Sequence, residues 1–188
     1  MSRLFLSARR RALLLAACAA ASPAVRAQLD AGGSEAAIKA AFLLRFAAYV
    51  EWPADSRGPP GGAITIGVLG DEAVTAELVR QAPGRRVGER PLAVRRLRPA
   101  EAPGEAMVLF LGRAEHGRLG MLQQALQSRS FLLVTESEDG PDTAGMINFV
   151  LRDRRLRFEV DLAAAEKAGL QLSSRLLGVA VRVYTGGS

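Results

Sequence analysis

Short apolar runs and amphipathic stretches alternate along this chain. Ala63–Leu69 (AITIGVL), Met107–Leu111 (MVLFL) and Phe131–Thr135 (FLLVT) are almost unbroken by polar residues. Runs of that length predict strands covered on both faces, the habit of parallel sheets between helix layers. Leu92–Leu97 reads as a further strand. Between these runs lie helical patterns. Ser34 is a good N-cap for a helix reaching Trp52, where Pro53 stops it. Asp71 caps a second helix over Glu72–Gln81, and Leu119, Leu122 and Leu126 recur at helical spacing within Gly117–Leu126.

The C-terminal third changes period. Met146–Leu151 and Leu156–Leu162 read as two strands joined by a turn over Arg152–Arg155. In the second, Leu156, Phe158, Val160 and Leu162 alternate with Arg157, Glu159 and Asp161, which predicts an inward apolar face and an outward, solvated one. Helices over Ala163–Ala168 and Ser173–Val183 are expected to close the chain, the last capped by Ser173. Asp30–Gly33, Gly58–Gly62 and Glu136–Ala144 read as loops. Neither repeats nor a linker interrupt the pattern. It predicts an α/β fold: a single layered domain, a mostly parallel sheet with an antiparallel edge hairpin, and helices on both faces.

The N-terminus has its own pattern. Arg3, Arg9, Arg10 and Arg11 precede an apolar run from Ala12 to Ala21, with no acidic residue before Asp30. The run is shorter than the roughly 20 residues a membrane helix needs. Val25-Arg26-Ala27 places small residues as a signal peptidase requires. Residues 1–27 therefore read as a secretory signal cleaved after Ala27, and 28–188 as a periplasmic domain. Leu15-Ala16-Ala17-Cys18 also fits a lipobox, giving the alternative of a lipid anchor through Cys18, and Arg10-Arg11 loosely fits a twin-arginine signal.

Cleavage alters the charge. The whole chain carries 25 basic and 19 acidic residues; losing the five arginines of the signal leaves 20 against 19, a net charge of +1. That near-neutral balance argues against nucleic acid as a partner. The one cysteine, Cys18, leaves with the signal, so neither disulfide nor thiol chemistry is expected in the mature domain.

Catalytic chemistry finds little to stand on. His116 is the single histidine, and beside Gly117 it reads as a capping or surface residue. No metal site, cofactor or Cys/His nucleophile pair is expected. Glu159 and Asp161 share one strand face but read as solvated, and Gly140 and Gly145 lack the strand-loop-helix context of a phosphate cradle. The chain does not read as an enzyme.

The first helix reads as the surface of interest. Ile38, Ala41, Phe42, Arg45, Tyr49 and Trp52 fall on one side, Leu43, Phe46 and Val50 on another, and Leu44 and Ala48 on a third. A helix apolar nearly all round is buried centrally or covers a partner. Phe42, Arg45, Tyr49 and Trp52 are the candidate partner or dimer interface, Arg45 being placed to stack on an aromatic ring or pair with a carboxylate. Asn148, between Ile147 and Phe149, reads as a buried amide tying its strand to the neighbouring loop, with Gly145 at the start of the same block.

Two blocks carry a family resemblance. Glu35–Pro53 (EAAIKAAFLLRFAAYVEWP) runs a helix into a Trp-Pro stop; Gly145–Val183 holds GMINFV, RFEV and LSSRLL in order, with ITIGVLGD and VLFLG between the blocks. The chain resembles the YfiR-like family over nearly all the mature sequence. The resemblance implies a periplasmic, often dimeric α/β domain that represses a membrane-bound signalling enzyme. The implied partner is the periplasmic part of an inner-membrane diguanylate cyclase or sensor kinase, with a homodimer beside it. Release of a cyclase would raise cyclic di-GMP and favour biofilm over motility. Relatives can carry disulfide-forming cysteines tied to redox control, and the mature chain here has none. The alternative function is a small-ligand sensor or carrier using a cleft beyond the strand ends. An envelope hydrolase finds no support in the residues.

Overall fold

A computed structural model describes residues 23–53, 61–99, 101–127, 129–137 and 145–186, with side chains from residue 35 onward. Residues 1–22, which hold Cys18 and most of the expected signal over 1–27, and residues 54–60 and 138–144 lie outside the described residues. The elements run α1 (Pro23–Phe46), β1 (Val50–Glu51), β2 (Ile64–Leu69), α2 (Glu72–Gln81), β3 (Arg86–Val87), β4 (Arg90–Arg96) and β5 (Val108–Leu111). A 3-10 turn (Arg113–Arg118) leads into α3 (Leu119–Ala125). After it come β6 (Leu132–Glu136), β7 (Ile147–Arg152), β8 (Arg155–Asp161), α4 (Leu162–Lys167), β9 (Gln171–Leu172), α5 (Ser174–Leu177) and β10 (Arg182–Tyr184).

Eight strands form one sheet in the order β10-β8-β7-β6-β5-β2-β4-β3, among the described residues. From β4 to β7 every neighbouring pair is parallel. β8 runs antiparallel to β7, and β10 lies parallel to β8 at the edge. This is the single α/β domain that the apolar runs imply. β5 shows why those runs are unbroken: Val108 and Phe110 enter the core beneath α1 and α2, while Leu109 and Leu111 enter the second core beneath α3. With helices on both faces, neither side of the strand can be polar.

The chain leaves β2 for β4 on one side and β5 on the other, so the switch point of the sheet lies between β2 and β5. There the backbones nearly touch. Gly112 N–H donates to Leu69 O at 2.8 Å, and a Cβ on Gly112 would meet Gly70 O at 2.6 Å. Only glycine fits at that position.

Local rules hold at Asp71, Ser173 and the hairpin turn, but not at Ser34, the expected N-cap, which lies inside α1. Asp71 Oδ1 accepts from Val74 N at 2.9 Å at the start of α2, and Ser173 Oγ caps α5. The β7–β8 hairpin turns on Asp153 and Arg154 with φ of 50° and 57°, the paired left-handed geometry of a two-residue hairpin loop.

Three expectations are corrected. α1 is helical through Asp30–Gly33 and ends at Phe46 rather than Trp52. Alanine-rich flanks carry the helix through the glycines, which cost about 1 kcal/mol each against alanine. Its end is set by β1, where Val50 and Glu51 pair with Leu172 and Gln171. The helix expected over Ser173–Val183 is only the four residues of α5; the chain then becomes β10, because the open edge of β8 offers Val181–Tyr184 a ladder of backbone partners. Glu159, expected on a solvated face, is 5% exposed, since β10 and Arg152 close over it.

Candidate functional site

α1 lies across one face of the sheet and buries Ala36, Lys39, Ala40, Leu43, Leu44, Phe46 and Ala47. Phe42 is half-buried at the margin of that stripe. Its ring stands 5.4 Å from Phe158 and 5.8 Å from Phe46, in an aromatic group that also includes Phe149. Edge-to-face and offset contacts of this kind add about 0.5–1.5 kcal/mol beyond area burial.

The four candidate interface residues do not share one helical side. Phe42 and Arg45 belong to α1, whereas Tyr49 and Trp52 follow it. Trp52 is buried in the core beyond β1. Tyr49 is half-buried, and its carbonyl accepts from Ser173 N at 2.9 Å. Arg45 is exposed and makes no ion pair among the described residues. What reaches solvent is therefore Arg45, with parts of Phe42 and Tyr49.

An ionic cluster absent from the expectations above holds α1 to the sheet. Lys39 Nζ lies 2.7 Å from Glu35 Oε1 and 2.8 Å from Glu136 Oε2, at the C-terminal end of β6. Glu136 Oε1 accepts from Arg113 Nη2 at 3.0 Å. Two cations meet two carboxylates, so the buried lysine is compensated. Burial pulls the Lys39 pKa down, the hydrogen bonds to Glu136 and Glu35 pull it up, and the net is a rise above 10.5. The available sequence signal was Lys39 standing between Ala36 and Ala40 on the buried stripe.

Asn148 closes a second polar knot on the opposite face. Its Oδ1 accepts from Ser137 N at 2.8 Å and Thr135 Oγ1 at 3.0 Å, and its Nδ2 donates to Ser137 O at 2.9 Å. Thr135 Oγ1 in turn accepts from Gly145 N at 2.8 Å. A Cβ on Gly145 would lie 2.6 Å from Leu133 O, which accounts for the glycine. These contacts hold the end of β6 against the start of β7.

Beyond the C-terminal ends of β2 and β4 opens a cleft of about 640 Å³, with Gly70, Glu72, Arg96, Arg98 and Glu115 in its lining. Arg96 and Glu72 pair across it at 2.7 Å. His116 sits half-buried in the 3-10 turn next to Glu115. Glu159 and Asp161 have separate duties. Glu159 accepts from Arg152 at 3.0 Å and Tyr184 at 3.1 Å, while Asp161 caps α4 through Ala164 N.

No curated protein matches the chain. A family model described as YfiR/HmsC-like matches residues 36–181, from within α1 to the residue before β10. That span takes in both buried cores, the Asn148 knot and all of the ionic cluster but Glu35, so the chain belongs to the YfiR/HmsC-like family, whose members are regulators of signalling.

Proposed function

We propose that this chain is a periplasmic binding protein that represses a membrane-bound signalling enzyme through that enzyme's periplasmic part. The enzyme proposed is a diguanylate cyclase, with a sensor kinase as the other candidate. The supporting observation is family membership across nearly the whole domain. The binding surface in this reading is Arg45 with the exposed parts of Phe42 and Tyr49, while Trp52 is buried in the core. Repression needs no chemistry by the chain. It needs tighter binding to the inactive state of the enzyme, which shifts that enzyme's population.

The test is deletion of the gene and complementation with its signal sequence. Cyclic di-GMP should rise on deletion and return to its starting level on complementation, and an inner-membrane signalling protein should copurify with the periplasmic chain. Unchanged cyclic di-GMP together with no membrane partner would overturn the proposal. The cleft beyond β2 and β4 supports a second reading, a periplasmic small-ligand sensor, because ligands of open α/β sheets bind beyond the strand ends near the switch point. Calorimetry on Arg98→Ala, Glu72→Ala and the parent chain against an envelope extract separates the two readings.

A further inference from the structure

Strand alternation and register place Arg152, Arg155, Arg157, Glu159, Arg182 and Tyr184 on one face of the β7-β8-β10 edge. It is the face turned away from the aromatic group under α1. Neither apolar core includes a residue of it. Its two carboxylates are both engaged: Glu159 is buried and takes Arg152 and Tyr184, and Asp161, at the end of β8, caps α4 through Ala164 N. Arg155, Arg157 and Arg182 are exposed and make no ion pair among the described residues.

The arrangement is unfavourable for the isolated chain. Arg152 stands directly opposite Arg155 in the ladder, and like charges so placed are destabilising. Arg182 is held over the Tyr184 ring, 5.8 Å from its centroid, which orders the guanidinium without neutralising it. Glu159 offsets Arg152 at 3.0 Å, but Arg155, Arg157 and Arg182 remain without an ion pair among the described residues, and surplus charge of this kind marks a surface whose partner lies elsewhere.

The geometry points to an extended acidic segment of a protein partner lying along β8 on this face. Alternate side chains of an extended chain recur about every 7 Å. Arg155 and Arg157, two residues apart on β8, have that spacing, and guanidinium forks match carboxylates bidentately. A membrane surface fits less well. Face-on membrane binding pairs basic groups with protruding apolar ones, yet Val150 here is buried, and the exposed Leu151 and Val181 belong to the opposite face by register. The inference rests on the binding-protein reading only in making the partner a protein.

The test uses the mature chain and a fluorescent peptide with glutamate at alternate positions, beside an isomer with the same glutamates contiguous. The alternating peptide should bind, lose affinity with salt, and exceed its isomer. Arg157→Gln with Arg182→Gln should weaken it by about tenfold or more at an unchanged melting temperature. Arg155→Gln alone gives the same reading if the double variant folds poorly. Equal binding by parent and variants, no preference between isomers, or binding to phosphatidylglycerol vesicles but not to peptide each overturns the inference. Variants that lose the peptide yet still repress the enzyme in cells overturn it while the proposed function stands. A parent chain that represses nothing in cells but binds the alternating peptide has the converse meaning.

Discussion

Lys39 and Glu136 stand 97 positions apart in sequence, yet their side chains meet at 2.8 Å where α1 crosses the C-terminal end of β6. Lys39 is 5% exposed, so the contact joins a helix to a strand inside the protein. Removing one member of such a cluster leaves the other carrying uncompensated charge. Lys39→Met, which keeps much of the volume, is expected to cost about 2–4 kcal/mol in urea denaturation, less than a fully buried pair because Glu136 keeps Arg113. A loss under 1 kcal/mol would show that the cluster contributes little.

The same lysine sets a pH dependence. Its pKa is raised in the folded state above 10.5. A cation raised in this way contributes its full stability below its unfolded pKa, and loses it as pH climbs through the folded value. The stability gap between parent and Lys39→Met should therefore be flat from neutral pH to about pH 10 and narrow above that. A gap that widens with alkali contradicts the assignment.

Glycines offer a paired test. Gly145→Ala forces a Cβ to within 2.6 Å of Leu133 O, and a backbone atom cannot swing away. Its cost is expected at about 2–4 kcal/mol. Gly120 in α3 has nothing within 4 Å of such a Cβ, so Gly120→Ala should stabilise by about 0.5–1 kcal/mol through helix propensity. Thermal melts of the two variants should move in opposite directions.

Asn148 serves three partners at once. Asn148→Ala withdraws its amide from Thr135 and from both backbone groups of Ser137, at an expected cost of about 2–3 kcal/mol. Hydrogen exchange should rise first at Ser137 and Gly145. Exchange that rises uniformly across the sheet would show that the knot has no local role.

Around α1 the expected effects separate by burial. Arg45→Ala should leave stability within about 0.5 kcal/mol, because its side chain is exposed. Trp52→Ala should cost about 3–5 kcal/mol, because that ring is buried in the core. If Arg45 belongs to the binding surface, Arg45→Ala weakens repression while its melt is unmoved. Repression unaffected by Arg45→Ala and by Tyr49→Ala removes this surface from the proposal.

Much of this protein follows from local pattern, because its causes are local. The unbroken runs ITIGVL, VLFL and LLVTE become covered strands since both sheet faces carry helices, and Asp71 caps α2 through an amide three residues away. The doubly covered α/β architecture was legible from those runs, as was the hairpin turning on Asp153 and Arg154. Tertiary structure decided the remainder. α1 stops at Phe46 because Val50 and Glu51 find Leu172 and Gln171, more than a hundred residues away, and the chain after α5 becomes β10 because β8 had an open edge. Lys39 and Glu159 were hidden for the same reason. A charged side chain can be buried only beside counter-charges or hydrogen-bond partners, and Glu136, Arg152 and the Tyr184 hydroxyl are brought to them by strand pairing, which no local period encodes.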